Sequence, residues 1–213
     1  MEMFFNGKST VSYYHLKLLY CVITPPKRKQ YLIDIPGGDG EIDLCDGMFP
    51  ARYEPRTVTA VFTPFADDGL QGVNKLLNDL EGRNVRIVLP GDSQHYMTGT
   101  VHITAYGPGL GARVAEITVT AVCMPWRYAI DEVVHQIPAS SAEVSYTWRN
   151  EGTREAVPTV TVTGETLIVV DASSIALSAG VYQLTTLTIP GNGTITVSIS
   201  GGPVEVRYRE AVL

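Results

Sequence analysis

The sequence predicts a mainly β protein with two domains, in which one α-helix interrupts the strands of the first domain. Short apolar runs that alternate with polar residues recur along the 213 residues. Twenty Gly and thirteen Pro supply frequent turns between these runs. Apolar residues recur at helical spacing in one stretch. We therefore expect an N-terminal β-sandwich or barrel-like domain with one helix, followed by a small C-terminal β-sandwich.

The composition is typical of a globular protein, with 45% hydrophobic and 18% charged residues. A net charge of −6 argues against a nucleic-acid partner held by phosphate contacts. The basic run Lys27-Arg28-Lys29 is more typical of a solvated strand edge. No stretch approaches the roughly 18–20 apolar residues of a membrane span. The start of the chain lacks the pattern of a signal peptide, and the three dispersed cysteines are consistent with synthesis in a reducing cytoplasm.

The stretch 27–56 is the most distinctive part of the first domain. A strand pattern at 30–35 runs into the turn Pro36-Gly37-Gly38-Asp39-Gly40, where the glycines allow a sharp reversal of the backbone. A short alternation at 41–44 and a turn at Asp46-Gly47 follow. We expect the next strand at 57–62.

The rest of the first domain consists of strands and the helix. Earlier strands are expected at 3–5 and 16–23. The helix is predicted at about 68–81, because Leu70, Val73, Leu76, Leu77 and Leu80 recur on one face. Core packing is the expected role of that face. Later strands are expected at 85–89, 96–106 and 112–122.

The last third of the chain is rich in Thr, Val and Ser and has no helical pattern. We place the first domain at 1–135, a linker at 136–142 and the C-terminal β-sandwich at 143–213. Strands are expected at 143–148, 159–162, 166–170, 181–188, 194–200 and 204–209. Strands at this spacing favour a small sandwich.

No motif in the sequence points to an enzyme, a metal site or a cofactor site. The acidic residues Asp39, Glu41, Asp43 and Asp46 lack the frame of a calcium loop and are interpreted as turn carboxylates. The glycine-rich segment 107–111 has no helix after it to receive a phosphate, so a hairpin tip is expected. The four histidines lack metal-ligand spacing, and no nucleophile elbow is present. A hydrolase therefore has no support.

Several short motifs follow one another along the chain. I-P-G-x-D-G lies at 35–40 and Y-x-x-R at 53–56. Met-Pro-Trp-Arg-Tyr lies at 124–128, N-x-G-T-x-x-A-x-P at 150–158, and the ending Y-R-E-x-x-L at 208–213. In this order they resemble the distal tail protein (Dit) family of long-tailed bacteriophages and prophages. The resemblance implies a galectin-like or jelly-roll-like C-terminal sandwich.

The resemblance also implies a structural protein of the virion tail tip that is made in the cytoplasm of the bacterial host. Such a protein forms a ring, typically a hexamer. The ring joins the tail tube protein to the tail-associated lysin or baseplate hub protein and to the receptor-binding protein, and the tape measure protein is a further candidate partner. Strands of the first domain, with the segments 36–40 and 46–56, are expected to form the ring.

The expected assembly residues follow from the positions of these motifs. They are Ile35, Pro36, Gly37, Gly38, Asp39, Gly40, Arg52, Tyr53, Arg56 and Trp126. The alternative function is a carbohydrate-binding module that contacts host cell-wall polysaccharide. It would use the C-terminal sandwich and two aromatic residues expected at its surface, Tyr146 and Trp148.

Overall fold

The computed structural model describes residues 2–45, 51–65, 69–108, 114–171 and 173–213. The chain divides into two compact units, Met1–Pro125 (unit 1) and Trp126–Leu213 (unit 2). This division lies before the expected domain boundary at 135, because the segments 127–129 and 133–137 form strands that pair within unit 2. The expected linker 136–142 contains the end of one strand and the start of the next.

Unit 1 contains nine strands and one α-helix among its described residues. They are β1 (Phe4–Phe5), β2 (Lys8–Ser9), β3 (Leu16–Ile23), β4 (Leu32–Asp34), β5 (Glu41–Asp43), β6 (Arg56–Pro64), α1 (Gly69–Leu80), β7 (Asn84–Val88), β8 (His95–Pro108) and β9 (Val114–Cys123).

The main sheet of unit 1 is antiparallel, in the order β2-β1-β7-β8-β9-β6-β3. Its strands carry large side chains that are fully buried, among them Phe62, Ile87 and Ile117. Helix α1 contributes Val73, Leu76 and Leu80 to the same core. The helical spacing of these three residues explains their burial, since residues three and four apart share one face. The prediction of a core-packing helix is confirmed.

A polar cluster joins α1 to the start of the chain. The Lys8 Nζ lies 2.7 Å from the Asp79 Oδ2, and the Tyr14 hydroxyl lies 3.2 Å from the same oxygen. Lys8 also lies over the ring of Tyr13, 4.4 Å from its centroid. The hydrogen bond from Lys8 holds the pKa of Asp79 below its usual range.

Unit 2 contains ten strands and one 3-10 helix among its described residues. They are β10 (Arg127–Ala129), β11 (Val133–Ile137), β12 (Ser140–Asn150), β13 (Thr159–Val162), β14 (Thr166–Val170), β15 (Ser173–Leu177), β16 (Gly180–Gln183), the 3-10 helix Thr185–Leu187, β17 (Gly193–Gly201), β18 (Val204–Tyr208) and β19 (Ala211–Val212).

Two antiparallel sheets face each other in unit 2, in the orders β11-β18-β13-β16 and β12-β17-β14-β15. A single core lies between them, and its largest member is Trp148. The remaining pair, β10 with β19, joins the first and last strands of the unit. The prediction of a small C-terminal β-sandwich is confirmed.

Asn150 organises the loop that follows β12. It is fully buried, its Nδ2 donates to the carbonyl oxygen of Arg154 at 2.7 Å, and its Oδ1 accepts from the N–H of Gly152 at 2.9 Å. A Cβ on Gly152 would lie 2.6 Å from the nitrogen of Ala211, so only glycine fits there. These contacts explain the spacing of Asn and Gly in the 150–158 motif.

One strand prediction is too long. The expected strand at 181–188 is observed as β16 at 180–183 followed by the 3-10 helix. The strand does not continue to residue 188, because the chain turns at the 3-10 helix and places Leu187 in the core, where it is fully buried. Within the described parts of the chain, no helix is long and apolar enough to cross a bilayer.

Candidate assembly surface

Strands β4 and β5 form a hairpin that pairs with no other strand in the described part of the chain. Its turn includes Gly37 and Gly40 with φ of +75° and +88°, a backbone region that favours glycine. The N–H of Gly38 donates to the carbonyl oxygen of Ile35 at 3.0 Å. The sequence thus specifies a tight reversal at the tip of a free-standing hairpin.

The base of the hairpin is fixed by Asp43. Its Oδ1 accepts the N–H of Cys45 at 2.9 Å and the N–H of Tyr31 at 3.1 Å. These bonds, that from Cys45 above all, hold the pKa of Asp43 below its usual range. The N–H of Leu44 donates to the carbonyl oxygen of Tyr31 at 2.9 Å. Both strand ends are therefore held together at the base.

The hairpin exposes apolar side chains that a free-standing protein would normally bury. Ile33 lies directly opposite Ile42 on one face, and they are 43% and 52% exposed. The other exposed large hydrophobic residues in or beside the hairpin are Tyr31, Leu32, Ile35 and Leu44. Exposed apolar side chains gathered on one element of structure are typical of a protein–protein contact.

Charges on the hairpin are separated by sign. Near the tip, Asp34 lies directly opposite Glu41, an arrangement of like charges that is unfavourable unless a cation lies nearby. Asp39 adds a third carboxylate in the turn. The basic run 27–29 precedes the hairpin, and its Arg28 donates to the carbonyl oxygen of Cys45 at 3.3 Å. The hairpin therefore has an acidic tip, whereas its base combines the basic run 27–29 with the Asp43 carboxylate.

A second exposed apolar surface lies on β3, which ends the main sheet and pairs only with β6 among the described strands. Leu19, Tyr20, Val22 and Ile23 are all between 40% and 55% exposed. The pairing with β6 shifts register between Leu18 and Tyr20. An edge strand leaves backbone donors and acceptors unpaired, so β3 offers a place for another strand to add.

The structure places the expected assembly residues in three surroundings. Ile35 to Gly40 form the exposed hairpin turn. Arg52 and Tyr53 lie beside its base, since the Lys29 N–H donates to the Arg52 carbonyl oxygen at 2.8 Å and Arg28 forms a β-bridge with Tyr53. Residues 46–50 of the expected ring segment, like Asp46 of the acidic group, lie outside the described residues.

Arg56 and Trp126 have contacts inside their own units. Arg56 is only 6% exposed, and its guanidinium donates to the carbonyl oxygen of Pro125 within unit 1. Trp126 is half-buried in unit 2, and the guanidinium of Arg154 lies 5.7 Å from its ring centroid. Arg56 is therefore occupied within unit 1, and the part of both side chains in assembly stays a prediction.

The expected carbohydrate contacts are not a surface pair. Trp148 is 1% exposed and its ring stacks on His135, with centroids 6.2 Å apart. Tyr146 is half-buried and packs against the same core. Both residues lie on one face of β12, opposite Val197 and Ile195, and the buried ring of Trp148 cannot stack on a bound sugar. The expectation for Trp148 requires correction, whereas that for Tyr146 stays a prediction.

No group of three or more His, Cys, Asp and Glu side chains is placed to hold a metal ion in the described parts of the chain. The buried thiol of Cys123 has its pKa raised to about 11 by burial, so it stays protonated at neutral pH.

The exposed apolar surface of β3 was missed by the sequence analysis. The signal was present as the run Leu16 to Ile23, in which only Lys17 carries a charge. Alternation with period two would have placed Leu18 and Tyr20 on one face, but the register shift between them moves the later residues outward. A bulge of this kind has no reliable signature in a single sequence.

Comparison with known proteins gives one informative result. No family model and no curated protein matches the chain. Among solved structures, it is similar to the crystal structure of SPP1 Dit (gp 19.1), described as a paradigm of the hub adsorption apparatus in phages that infect Gram-positive bacteria. The match covers 100% of this chain and 99% of that chain, with a TM-score of 0.70 and 14% identity. The fold implied by the sequence motifs is confirmed.

Proposed function

We propose that this chain is a structural distal tail protein of a long-tailed phage, with no catalytic role. It would form a hexameric ring that joins the tail tube to the tail tip and to the receptor-binding proteins. The observation that carries this proposal is the match to SPP1 Dit over the whole of both chains, unit 1 and unit 2 alike. The virion tail tip is the corresponding location.

The exposed hairpin supports assembly with further copies of the chain. Ile33 and Ile42 form an apolar pair that has no cover in the part of the chain described. Burial of apolar surface contributes about 25 cal/mol per Å², so covering the hairpin by a neighbouring subunit would stabilise the assembly. The β3 edge offers backbone pairing as a second contribution.

The charges of the hairpin favour a head-to-tail contact. A ring is built from heterologous interfaces, in which one surface of a subunit meets a different surface of the next. An acidic tip at Asp34, Asp39 and Glu41 would complement the basic run 27–29 on a neighbour, which exceeds by charge the Asp43 carboxylate beside it. Each copy carries both surfaces, so the contact can repeat until the ring closes.

The first test is the mass of the purified chain by light scattering, with negative-stain images of the same sample. We expect a closed ring with a central channel and a mass that is an integral multiple of the chain. Co-purification with the tail tube protein and the tail-associated lysin would then identify the neighbours. A chain that stays monomeric at high concentration, alone and with the tube protein, would contradict the proposal.

A further inference from the structure

The run from residue 172 to residue 204 contains no charged residue. The 16 basic and 22 acidic residues of the chain, and its four histidines, all lie elsewhere. The run includes β15 and β16, which are edge strands of the two sheets of unit 2, and residues 178–179 alone join them. Unit 2 therefore presents two neighbouring strand edges without a charge along one side of its sandwich.

The two edges of the β12-β17-β14-β15 sheet differ in how they are protected. An edge strand that is regular and uncharged can pair with a strand of another protein, and charged side chains or a bulge normally prevent this. β12 carries Glu143 and Arg149, and its pairing with β17 shifts register. β15 has neither form of protection, because it is uncharged and its pairing with β14 is regular over all five residues.

The backbone of β15 is accessible from the side that faces away from β14. Alternate residues of an edge strand direct their N–H and C=O groups away from the sheet. Among the described strands β15 pairs only with β14, so these groups have no strand partner. The side chains on its outer face, Ser174 and Ala176, are small and exposed. β16 is a poorer template, since it has only four residues.

A groove adjoins the C-terminal end of β15. Its lining includes Ala176 and Leu177 of β15 and Leu167 of β14. Leu167 lies directly opposite Ala176 and is 41% exposed, so this part of the groove is apolar. Glu165 is the one charged residue of the lining. In an antiparallel strand added beside β15, the residue before the pairing would reach this groove.

We propose that the edge of β15 binds an extended, uncharged segment of another protein, which adds antiparallel to β15 as a fifth strand of the four-stranded sheet. In this mode of recognition, main-chain hydrogen bonds supply the affinity, and pockets for side chains supply the specificity. An antiparallel ladder is slightly more stable per residue than a parallel one. The groove selects an apolar residue directly before the added strand.

The lack of charge on β15 decides the chemistry of the partner. A charged side chain on the incoming strand would lose water against a surface that offers no opposite charge at 173–177. A second copy of β15 would have to pair about a two-fold axis, whereas a ring is built from heterologous contacts. Only this exclusion of a second copy rests on the proposed ring. The contact itself uses no residue of the assembly surface in unit 1.

The test uses the full chain and a fluorescent synthetic peptide. The peptide copies residues 164–171, which contain β14, the neighbour of β15 in the sheet, with leucine in place of Glu165. Fluorescence anisotropy measures its binding, and hydrogen exchange with mass spectrometry locates the amides that it protects. We expect saturable binding with protection at 173–177. Absence of saturable binding, or protection confined to other residues, would overturn the proposal.

Two control peptides separate backbone pairing from side-chain contact. The first carries N-methyl groups at alternate residues, which remove the hydrogen-bond donors facing β15 and keep the side chains. We expect it to bind about tenfold more weakly or worse. The second retains the glutamate and should bind about threefold more weakly or worse, because it loses apolar contact in the groove. Undiminished binding by the first would refute strand addition, and by the second would refute the role of the groove.

A matched pair of double variants locates the contact on the chain. Ser174→Lys with Ala176→Lys places charges on β15, whereas Ser145→Lys with Thr147→Lys places them on the same face at the opposite edge, β12. All four positions are exposed, so both variants should fold, as circular dichroism will check. We expect the β15 variant to weaken peptide binding about tenfold or more, and the β12 variant to leave it unchanged.

Two outcomes with these variants would count against the proposal. Equal peptide binding by both double variants would show that the β15 edge is not the site. A lower mass of the assembly in light scattering for the β15 variant alone would show that a second copy of the chain occupies the edge, and would overturn the assignment to another protein.

Discussion

The two units bury their apolar residues to different extents. Unit 2 encloses a core between two sheets, and the outer face of its β12-β17-β14-β15 sheet is rich in serine and threonine, as in the pairs Ser145–Ser198 and Thr147–Thr196. Unit 1 also has a packed core, but most of the exposed large hydrophobic residues in the described chain belong to it. They concentrate on β3 and on the β4–β5 hairpin.

This difference separates what each unit can do. A unit whose apolar side chains face inward gains its stability from its own core. A unit that leaves an apolar edge strand and a hairpin uncovered gains further stabilisation only when another surface covers them. Substitutions in unit 2 should therefore change folding, and substitutions on the hairpin of unit 1 should change assembly.

The largest expected effect is that of Trp148→Ala on the stability of unit 2. Trp148 is 1% exposed, and His135, on which it stacks, also stacks on Tyr208 with centroids 5.8 Å apart. Removal of a buried tryptophan should lower the free energy of unfolding by about 3–5 kcal/mol. Urea denaturation measures this loss. Val181→Ala, at a position 69% exposed, should change it by less than about 0.5 kcal/mol.

Charged residues on the hairpin should act on assembly and spare the fold. In the double variant Ile33→Asp with Ile42→Lys, whose opposite charges face each other across the two strands, we expect the dissociation constant of the proposed ring to rise about a hundredfold or more, since apolar contact is lost and charge is buried. Sedimentation velocity against concentration measures this dissociation constant. Val134→Asp with Val181→Lys is the control in unit 2, at 44% and 69% exposure. Equal dissociation of both double variants would remove the distinction between the units.

Asn150→Ala tests whether buried hydrogen bonds also stabilise unit 2. The variant removes the bonds of Asn150 to Arg154 and Gly152 and leaves buried backbone groups without partners. We expect a loss of about 1–3 kcal/mol in the free energy of unfolding. Gln183→Ala, which removes an exposed amide, serves as the control in urea denaturation. A neutral result for Asn150→Ala would show that the loop at 150–158 does not need this residue.

The smallest expected effect is on the pH dependence of stability, through Asp79 in helix α1 of unit 1. The pKa of Asp79 is lowered in the folded chain, mainly by its hydrogen bond from Lys8. The ionised carboxylate therefore stabilises the fold fully above pH 3.8, the ordinary pKa of the group. This stabilisation is lost as the pH falls through the lowered pKa. Asp79→Asn should therefore be less stable than the parent chain at neutral pH. The difference in stability between the variant and the parent chain should become smaller in strong acid. Thermal unfolding across the pH range measures it.

Lys8→Met is the companion variant for this prediction, because it removes the other partner of the bond. It should show the same narrowing, and the double variant should add little to either single change. A difference between Asp79→Asn and the parent that persists unchanged in strong acid would show that the charge of Asp79 does not contribute.

Local pattern was enough to predict much of the fold. Strands β13 and β14 are observed at the predicted residues, 159–162 and 166–170, because alternation in these short segments reports directly on a buried face. The helix is observed at Gly69–Leu80 for the corresponding reason at a period of 3.6. The boundary between the units was harder to predict from the sequence, since it depends on the pairing of β10 with β19 at the far end of the chain.

The error at Trp148 has a signal that was present in the sequence. Ser145, Thr147 and Arg149 are polar, so alternation along β12 places Tyr146 and Trp148 together on the apolar face. Arg56 is different, because its buried guanidinium meets the carbonyl oxygen of Pro125, a residue 69 positions away. No local pattern encodes such a contact.

The bonds that Asp43 accepts at the base of the hairpin have a consequence for the speed of the proposed assembly. They join the two strand ends within a single chain, so docking of a neighbour would not need to fix a disordered loop. Ordering the backbone costs about 1–2 kcal/mol per residue, and here folding has already met that cost. A preorganised hairpin can therefore associate in a single step from an encounter between rigid surfaces, at a rate limited by orientation and charge and not by loop folding.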